Sequence, residues 1–359
     1  MFQEIQSYSD MEKFINEKFP ESIKAGNRFT CFTNPNEELN ALRHGIGIRP
    51  CQNSGLIKLT GKDVLEFLHR VSTNSLLDLE LMRTRNTLFL NEKGRFIDRT
   101  NLLSIENEFM LVGSEDPDKK LFSWVSKFII MEDIITKDIT EDYSILELIG
   151  PQTESFLTLI IGSEANNLAN DSVRKFFIDG FMFYLYQSLE GNNITQYKII
   201  IEKEKTTDFL NYLFENKSVF DLALVGDIAF TAFRIKNKMP AFPNEINDST
   251  NPHEVNLVSE ISFKKGCYIG QEVIARLDTY DKVKRNMVSV DVSGFSGNTA
   301  TPITILTENT EAGILTSYVN SELLSCKLGL ALVNKKILES QDELFLLIDE
   351  NKIPVKLIQ

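Results

Sequence analysis

The stretch from Phe263 to Arg276, F-K-K-G-C-Y-I-G-Q-E-V-I-A-R, holds the residues whose types and spacing best suit chemistry. Two lysines precede Cys267, and the apolar spacing after Gly270 predicts a helix that begins there. Cationic neighbours and a helix N-terminus are surroundings in which reactive cysteines occur. The stretch therefore predicts a functional thiol at Cys267. The alternative is a small packing residue in a tight loop, because free cysteine is often buried.

Length and composition indicate a globular protein of about two or three domains. The chain has 359 residues, of which 42% are hydrophobic and 25% charged, as in ordinary soluble proteins. Its formal net charge of −13 argues against a protein that mainly holds nucleic acid. Five basic residues lie close together in the sequence, Lys264, Lys265, Lys282, Lys284 and Arg285. They form either a local basic patch that attracts an anionic ligand, such as a polyglutamate tail, or an ordinary solvated face.

The cysteines and the N-terminus predict a cytoplasmic protein without a metal site. The first residues lack the basic and apolar regions of a signal peptide, and no apolar run has the length of a membrane span. Cys31, Cys51, Cys267 and Cys326 form no C-x-x-C pair, which disfavours structural zinc, a chain-borne iron–sulphur cluster and a disulfide framework.

The order of predicted elements indicates an α+β fold in three parts. Residues 1–140 and 141–280 each alternate strands, hairpins and helices, and the second part ends in the cysteine stretch. No low-complexity tract appears, but Asn237 to Glu260, within the second part, is irregular and rich in proline, as functional loops often are. Residues 281–359 contain short strands and turns, which predicts a small all-β barrel or sandwich.

K-G-C-Y-I-G-Q-E, followed by Ala275 and Arg276, resembles the signature of the YgfZ family of folate-binding proteins. That family is related to the aminomethyltransferase, or T-protein, of the glycine cleavage system. The N-terminal A-L-R-H-G-I-G-I-R-P and the C-terminal G-I-L-T-S-Y also resemble family segments. The resemblance implies a three-domain ring, with two ferredoxin-like α+β domains and a C-terminal β-barrel around a central folate pocket.

The resemblance also implies which residues bind tetrahydrofolate or a derivative. Glu254 of P-H-E matches the family carboxylate that holds the pterin edge, since an ionised carboxylate accepts two parallel hydrogen bonds. A solvated loop acid is the alternative at this position. Arg234 matches a family arginine, and Lys265, Tyr268 and Gln271 of the signature complete the candidate contacts.

Two departures from the family pattern concern catalysis. The T-protein has two adjacent acids after a glycine turn. In this chain the corresponding segment, G-R-F-I-D-R, keeps the first acid as Asp98 and has Arg99 in place of the second acid. An arginine stays protonated and cannot act as a base, so Asp98 is the remaining candidate. The segment after Arg234 is I-K-N-K and lacks the family's acid and glycine.

The resemblance thus implies a folate-binding accessory protein that supports iron–sulphur cluster assembly or repair and tRNA modification. Its expected partners are folate and iron–sulphur proteins or their assembly factors, with tRNA involved only indirectly and no membrane. The alternative is a tetrahydrofolate-dependent aminomethyltransferase, which needs a base that only Asp98 offers. A tRNA-binding module is disfavoured by the net charge.

Overall fold

The computed structural model describes residues 11–26, 28–52, 54–106, 108–115, 118–166, 168–280, 282–295, 297, 299–320, 324, 327–340 and 342–358. The helices are α1 (11–18), α2 (Pro35–His44), α3 (Val64–Val71), α4 (Lys120–Phe128), α5 (Thr153–Ile161), α6 (Thr206–Glu215), α7 (Asp227–Lys236), α8 (Gln271–Thr279) and α9 (Lys335–Ser340).

The strands fall into four groups, and their apolar residues supply the buried faces of the two larger sheets and the interior of a barrel. They are β1 (Ile23–Ala25), β2 (Arg28–Cys31), β3 (Ile46–Cys51), β4 (Ser54–Thr60), β5 (Thr84–Leu90), β6 (Phe96–Ile105), β7 (Glu108–Glu115), β8 (Ile135–Asp138), β9 (Tyr143–Ile149), β10 (Val173–Ile178), β11 (Phe181–Glu190), β12 (Ile194–Glu202), β13 (Leu222–Leu224), β14 (Arg285–Asp291), β15 (Ile303–Leu306), β16 (Glu311–Asn320), β17 (Lys327–Asn334), β18 (Leu344–Ile348) and β19 (Asn351–Ile358).

A five-stranded antiparallel sheet has the order β5-β6-β7-β4-β8. Helices α3 and α4 cover one face of it through a core that includes Phe67, Leu68 and Val125. The β5–β6 hairpin turns at Gly94, whose φ of +67° suits glycine. A Cβ atom there would lie 3.2 Å from the side chains of Val273 and Ile274, so the hairpin turn packs directly on α8.

A six-stranded sheet has the order β10-β11-β12-β9-β3-β13. Its neighbours are antiparallel except for β3 and β13, which are parallel. Strand β3 precedes the five-stranded sheet in the chain but pairs with β9, and Phe14 and Ile15 of α1 belong to the same core. Of the described residues before Cys51, those that belong to this core, such as Phe32, Ile46 and Ile48, therefore pack with the six-stranded sheet.

The C-terminal strands form a closed barrel in the order β14-β17-β16-β15-β18-β19. Its interior is apolar and includes Val290, Leu315 and Leu346. The α+β class and the small C-terminal barrel predicted from the sequence are confirmed.

The cysteine stretch lies where the five-stranded sheet meets the barrel. Tyr268 and Ile274 share a core cluster with Leu88 of β5, Phe96 of β6 and Met287 of β14. The loop 237–257 contributes to this cluster as well, through residues such as Val255 and Leu257. In the described part of the chain, no helix is long and apolar enough to cross a membrane.

Candidate functional site

A central cavity of about 390 Å³ lies between the six-stranded sheet, strands β6 and β7, and the start of the proline-rich loop. This volume is within the range of small-molecule sites, roughly 300–1,000 Å³. Its walls include residues 99–101 and 112–115, Glu147, Glu190, Gln196, Lys198, Arg234 and residues 239–244.

A row of three charged residues and one tyrosine crosses one face of the six-stranded sheet at the cavity. Arg49, Glu147, Lys198 and Tyr186 lie opposite one another on β3, β9, β12 and β11. Arg49 Nη1 donates to Glu147 Oε2 at 2.9 Å, and Lys198 Nζ lies 3.6 Å from Glu147 Oε1. Burial raises the pKa of Glu147, but the charges of Arg49 and Lys198 outweigh it and hold that pKa below its usual value.

Lys198 is a cation in the cavity wall. Burial lowers the pKa of Lys198, but the neighbouring Tyr186 and Glu147 outweigh this effect and place that pKa above its ordinary value. The amine is therefore protonated at neutral pH and serves as a hydrogen-bond donor, not as a nucleophile.

Arg99 faces the cavity from β6 and is held between two acids from other parts of the chain. Its Nε donates to both carboxylate oxygens of Glu260, at 2.9 and 3.0 Å, and its Nη1 pairs with Glu190. The side chains of both acids are only 8% exposed. Burial lowers the pKa of Arg99, but these two carboxylates outweigh it, so the pKa stays above its ordinary value. This wall of the cavity thus presents a fixed cation that cannot accept a proton.

Asp98 lies on the opposite face of the same strand, because successive side chains of a strand point to opposite faces. It is 2% exposed, and its carboxylate accepts hydrogen bonds from the backbone N–H of Arg99 at 2.8 Å and of Ser114 at 3.2 Å. It lines a separate small cavity beside Lys119 and Asp138 and is not part of the central cavity wall. The structure therefore does not bring this catalytic candidate to the predicted pocket.

Glu254 also lies outside the central cavity wall. Its Oε2 accepts from Arg95 of the β5–β6 hairpin at 3.1 Å, and its Oε1 accepts from Arg285 of β14 at 2.8 Å. The carboxylate, with 5% of its side chain exposed, thus joins the first sheet, the proline-rich loop and the barrel. The carboxylate that does line the cavity beside Arg99 is Glu190, which the sequence analysis missed. The feature of the sequence that could have indicated Glu190 is its position as an acid at the end of the long apolar strand β11, just before the turn at Gly191.

Arg234 lines the cavity, and its guanidinium is held by residues of the loop 237–257 and of the barrel. It donates to Glu245 Oε2 at 3.0 Å and to Ser317 Oγ at 2.6 Å. Glu245 is fully buried and also accepts from Thr316 Oγ1 at 2.6 Å. The Thr-Ser pair of barrel strand β16 therefore fixes the position of this arginine.

Three further candidates from the signature, Lys265, Tyr268 and Gln271, do not line the central cavity. Lys265 Nζ donates to the carbonyl oxygens of His69, Ser72 and Asn74, the last two at 2.6 and 2.9 Å. These carbonyls lie at the C-terminal end of α3, where cations are favoured. Burial lowers the pKa of Lys265 to about 8 and raises the pKa of Tyr268 to about 12. Gln271 is the first residue of α8.

The cysteines differ in accessibility. Cys267 is exposed, whereas Cys31 is buried and Cys51 is partly buried. Burial raises the pKa of Cys31 to about 12 and that of Cys51 well above its ordinary value. Cys326 lies outside the described residues. Among the described cysteines, only Cys267 thus combines exposure with the loop position that the sequence indicated.

Within the described ranges, no group of three or more His, Cys, Asp or Glu side chains is arranged to hold a metal ion.

Comparisons with known proteins connect the chain to one family. The model of the GCVT N-terminal domain matches residues 3–265. The Arabidopsis thaliana protein called "Putative transferase At1g60990, chloroplastic" is 27% identical over 312 residues, which cover 85% of this chain and 69% of that protein. An aminomethyltransferase of Thermotoga neapolitana is 22% identical over 305 residues, which cover 83% of this chain and 81% of the relative.

A solved structure shares the fold. The glycine cleavage system aminomethyltransferase T from Bartonella henselae matches with a TM-score of 0.81 at 17% identity, covering 98% of this chain and 96% of that one. The two sheets and the closed barrel therefore form a known arrangement.

Proposed function

Because the chain belongs to the family of the GCVT N-terminal domain, we propose that its central cavity binds a reduced folate and that the protein is an accessory factor of the YgfZ type. In this role it supports the assembly or repair of iron–sulphur proteins, and through them tRNA modification. Its partners are then folate and those proteins or their assembly factors.

The cavity wall suits a folate in both size and chemistry. Its volume of about 390 Å³ is adequate for a fused heterocycle with part of its arm. Glu190 offers carboxylate acceptors for the N–H groups of a pterin, and Lys198 offers a charged donor. These side chains project from neighbouring strands of one sheet, so the scaffold holds them in place.

The observation that carries the accessory role is the position of Arg99. Its guanidinium occupies the cavity wall between Glu190 and Glu260 and cannot take a proton from a substrate amine. Asp98 cannot replace it, since its carboxylate points away from the cavity and is occupied by backbone N–H groups. A bound tetrahydrofolate would supply its one-carbon chemistry at N5 and N10, while this wall supplies binding and orientation only.

We propose that Cys267 is the group through which the protein acts on its partner proteins. It is exposed, and its neighbours Lys265 and Tyr268 are fixed in the scaffold. A thiol held at the surface is a nucleophile and a soft-metal ligand toward another protein. It is not a metal site by itself.

A tetrahydrofolate-dependent aminomethyltransferase is the second candidate. The name and 81% coverage of the Thermotoga neapolitana relative favour it. Turnover separates the two functions. Purified protein with tetrahydrofolate and an aminomethylated carrier should form methylenetetrahydrofolate at the background rate under the accessory proposal. A rate well above background would refute that proposal and support the transferase.

Folate binding itself is tested by calorimetric titration with folinic acid. We expect saturable binding to one site, weakened about 10- to 100-fold in Glu190→Gln, because a charge-assisted hydrogen bond is lost. Glu254→Gln is the matched control, since Glu254 is equally buried and also bound by arginine but lies outside the cavity wall. No binding to the wild-type protein, or equal losses in both variants, would contradict the assignment of the cavity.

A further inference from the structure

A short loop between α4 and β8 exposes two apolar side chains almost completely. Ile130 and Met131, which we call the apolar tip, are 82% and 93% exposed. The loop itself is fixed, because the Glu132 carboxylate accepts from the backbone N–H groups of Ile130 at 2.8 Å and of Met131 at 3.0 Å. The same carboxylate accepts from Arg70 of α3 at 2.6 Å and ties the loop to that helix.

The fold does not need apolar side chains at the apolar tip. The tip is held through backbone N–H groups, which polar residues would supply equally well. The flanking Ile129 and Ile134 pack on the core of the five-stranded sheet and provide the buried contacts of the loop. The backbone N–H of Ile130 and the guanidinium of Arg70 lower the pKa of Glu132 to about 2, so this carboxylate stays ionised at neutral pH. Adjacent apolar side chains that are held in place and exposed favour contact with another molecule.

The last turn of α3 anchors both the apolar tip and the cysteine stretch. Arg70 holds the tip through Glu132, and the carbonyl oxygen of the preceding residue, His69, accepts from Lys265. Lys265 lies two residues before Cys267, which is exposed. One partner that covers the end of α3 would therefore meet the tip and the thiol together.

The charges beside the tip indicate the kind of partner. Lys62 lies 3.6 Å from Asp133, and Arg70 is paired with Glu132, so the cations next to the tip are each matched by an acid. An anionic membrane or a nucleic acid is attracted by surplus positive charge, which this pairing does not leave. An apolar cleft of a protein fits better, and the flexible thioether of Met131 adapts to clefts of different shape.

We infer that the apolar tip docks into an apolar cleft of the partner proteins on which Cys267 acts and thereby places the thiol against them. The inference rests on the proposed function, which makes the partner an iron–sulphur protein or one of its assembly factors. The tip takes no part in thiol chemistry, and it is not in the wall of the central cavity.

The first test measures iron–sulphur enzyme activity in a deletion strain that carries variants of the protein. Met131→Asp should lower this activity to the level of the strain without the gene, because a charge at the tip opposes burial in an apolar cleft. Val219→Asp is the matched control, since Val219 is 92% exposed but lies between α6 and β13 of the six-stranded sheet. It should support the enzymes as the wild-type protein does. Loss of activity in both variants, or in neither, would overturn the inference.

Two measurements on the purified protein show whether Met131→Asp acts only at the partner. The affinity for folinic acid and the rate at which iodoacetamide alkylates Cys267 should stay within about twofold of the wild-type values, because exposed side chains far from buried contacts affect the fold little. A larger change in either quantity would mean that the loop acts on the protein's own sites, and would refute a docking role.

A photo-crosslinking amino acid in place of Met131 identifies what the tip touches. It should capture the same protein that forms a mixed disulfide with Cys267 when cells are treated with diamide, and the same probe in place of Val219 should not. Capture of unrelated proteins at positions 131 and 267 would contradict a shared partner. Sedimentation equilibrium and flotation with vesicles of phosphatidylcholine and phosphatidylglycerol test other occupants. Self-association or vesicle binding that Met131→Asp abolishes would assign the tip to a second copy or a membrane and overturn the inference.

The outcomes separate this inference from the proposed function. If the wild-type protein fails to bind folinic acid or to support iron–sulphur enzymes, the proposed function fails and the inference fails with it. If the wild-type protein does both and Met131→Asp does so equally well, the inference alone is wrong.

Discussion

Removal of the Arg99 guanidinium should be among the most destabilising single changes at the cavity. Arg99→Met keeps a side chain of similar length but leaves Glu190 and Glu260 without their shared cation. Each of these acids has 8% of its side chain exposed, and Arg99 has 12%, so solvent screens the pair weakly. Breaking a buried ion pair by removing one partner costs about 3–5 kcal/mol of unfolding free energy.

That loss is a large share of the total stability of a typical protein, about 5–15 kcal/mol. Arg83→Met is the control, because Arg83 forms an ion pair with Asp171 in which the two side chains are 39% and 61% exposed. An exposed pair of this kind contributes about 1 kcal/mol or less.

Urea unfolding measures the difference. The single tryptophan, Trp124, packs on Phe89 of β5, so its fluorescence reports on the sheet that contains Arg99. The triple variant Arg99→Met, Glu190→Gln, Glu260→Gln should recover much of the loss, since it removes the uncompensated charges as well. The reasoning is refuted if Arg99→Met costs no more than Arg83→Met, or if the triple variant is less stable than the single one.

Three further predictions follow from other contacts. Cys267 should be alkylated by iodoacetamide faster than Cys31 and Cys51, because it is exposed. The variant Cys267→Ser should keep its fold and folate affinity but fail to support iron–sulphur enzymes in a deletion strain. Full complementation by this variant would contradict the proposed role of the thiol. Glu254→Ala should lower the unfolding free energy by about 1–3 kcal/mol, because Arg95 and Arg285 lose their acceptor, with folate affinity unchanged by calorimetry. Glu147 has a pKa in the folded state below its ordinary value of 4.5, so its stabilising contribution is present above pH 4.5 and is lost as the pH falls through the folded-state pKa. Urea unfolding between pH 3 and 7 should therefore show that the unfolding free energy of Glu147→Gln falls less on acidification than that of the wild-type protein.

Elements with a clear apolar period were predictable from the sequence. Strands Tyr143–Ile149, Val173–Ile178 and Ile303–Leu306 are apolar runs bounded by turn residues, a pattern that predicts strands. Strand β3 has a weak strand pattern, because I-G-I-R-P-C contains a glycine and a proline. Its pairing with β9, about 100 residues later, cannot be inferred from local propensity.

The contacts of the site residues could not be predicted from local sequence either. The sequence singled out Arg99 as a departure from an acid pair, but its two carboxylate partners lie 91 and 161 positions away. No spacing rule connects residues so distant in the chain. The P-x-E motif predicts Glu254 as a ligand residue, and it contains no signal for the contacts with Arg95 and Arg285 that join three parts of the fold.

The contacts of the K-G-C-Y-I-G-Q-E stretch explain why most of it is needed to present one side chain. Lys265 is held by three carbonyls of the α3 terminus, and Tyr268 is buried between the first sheet and the barrel. Gly270 has a φ of +84°, and a Cβ atom there would lie 2.5 Å from the carbonyl oxygen of Asn91, so only glycine fits. These anchors flank Cys267, which is exposed. Under the proposed function, a thiol on such a support would keep its position while a partner docks, as a functional surface group requires.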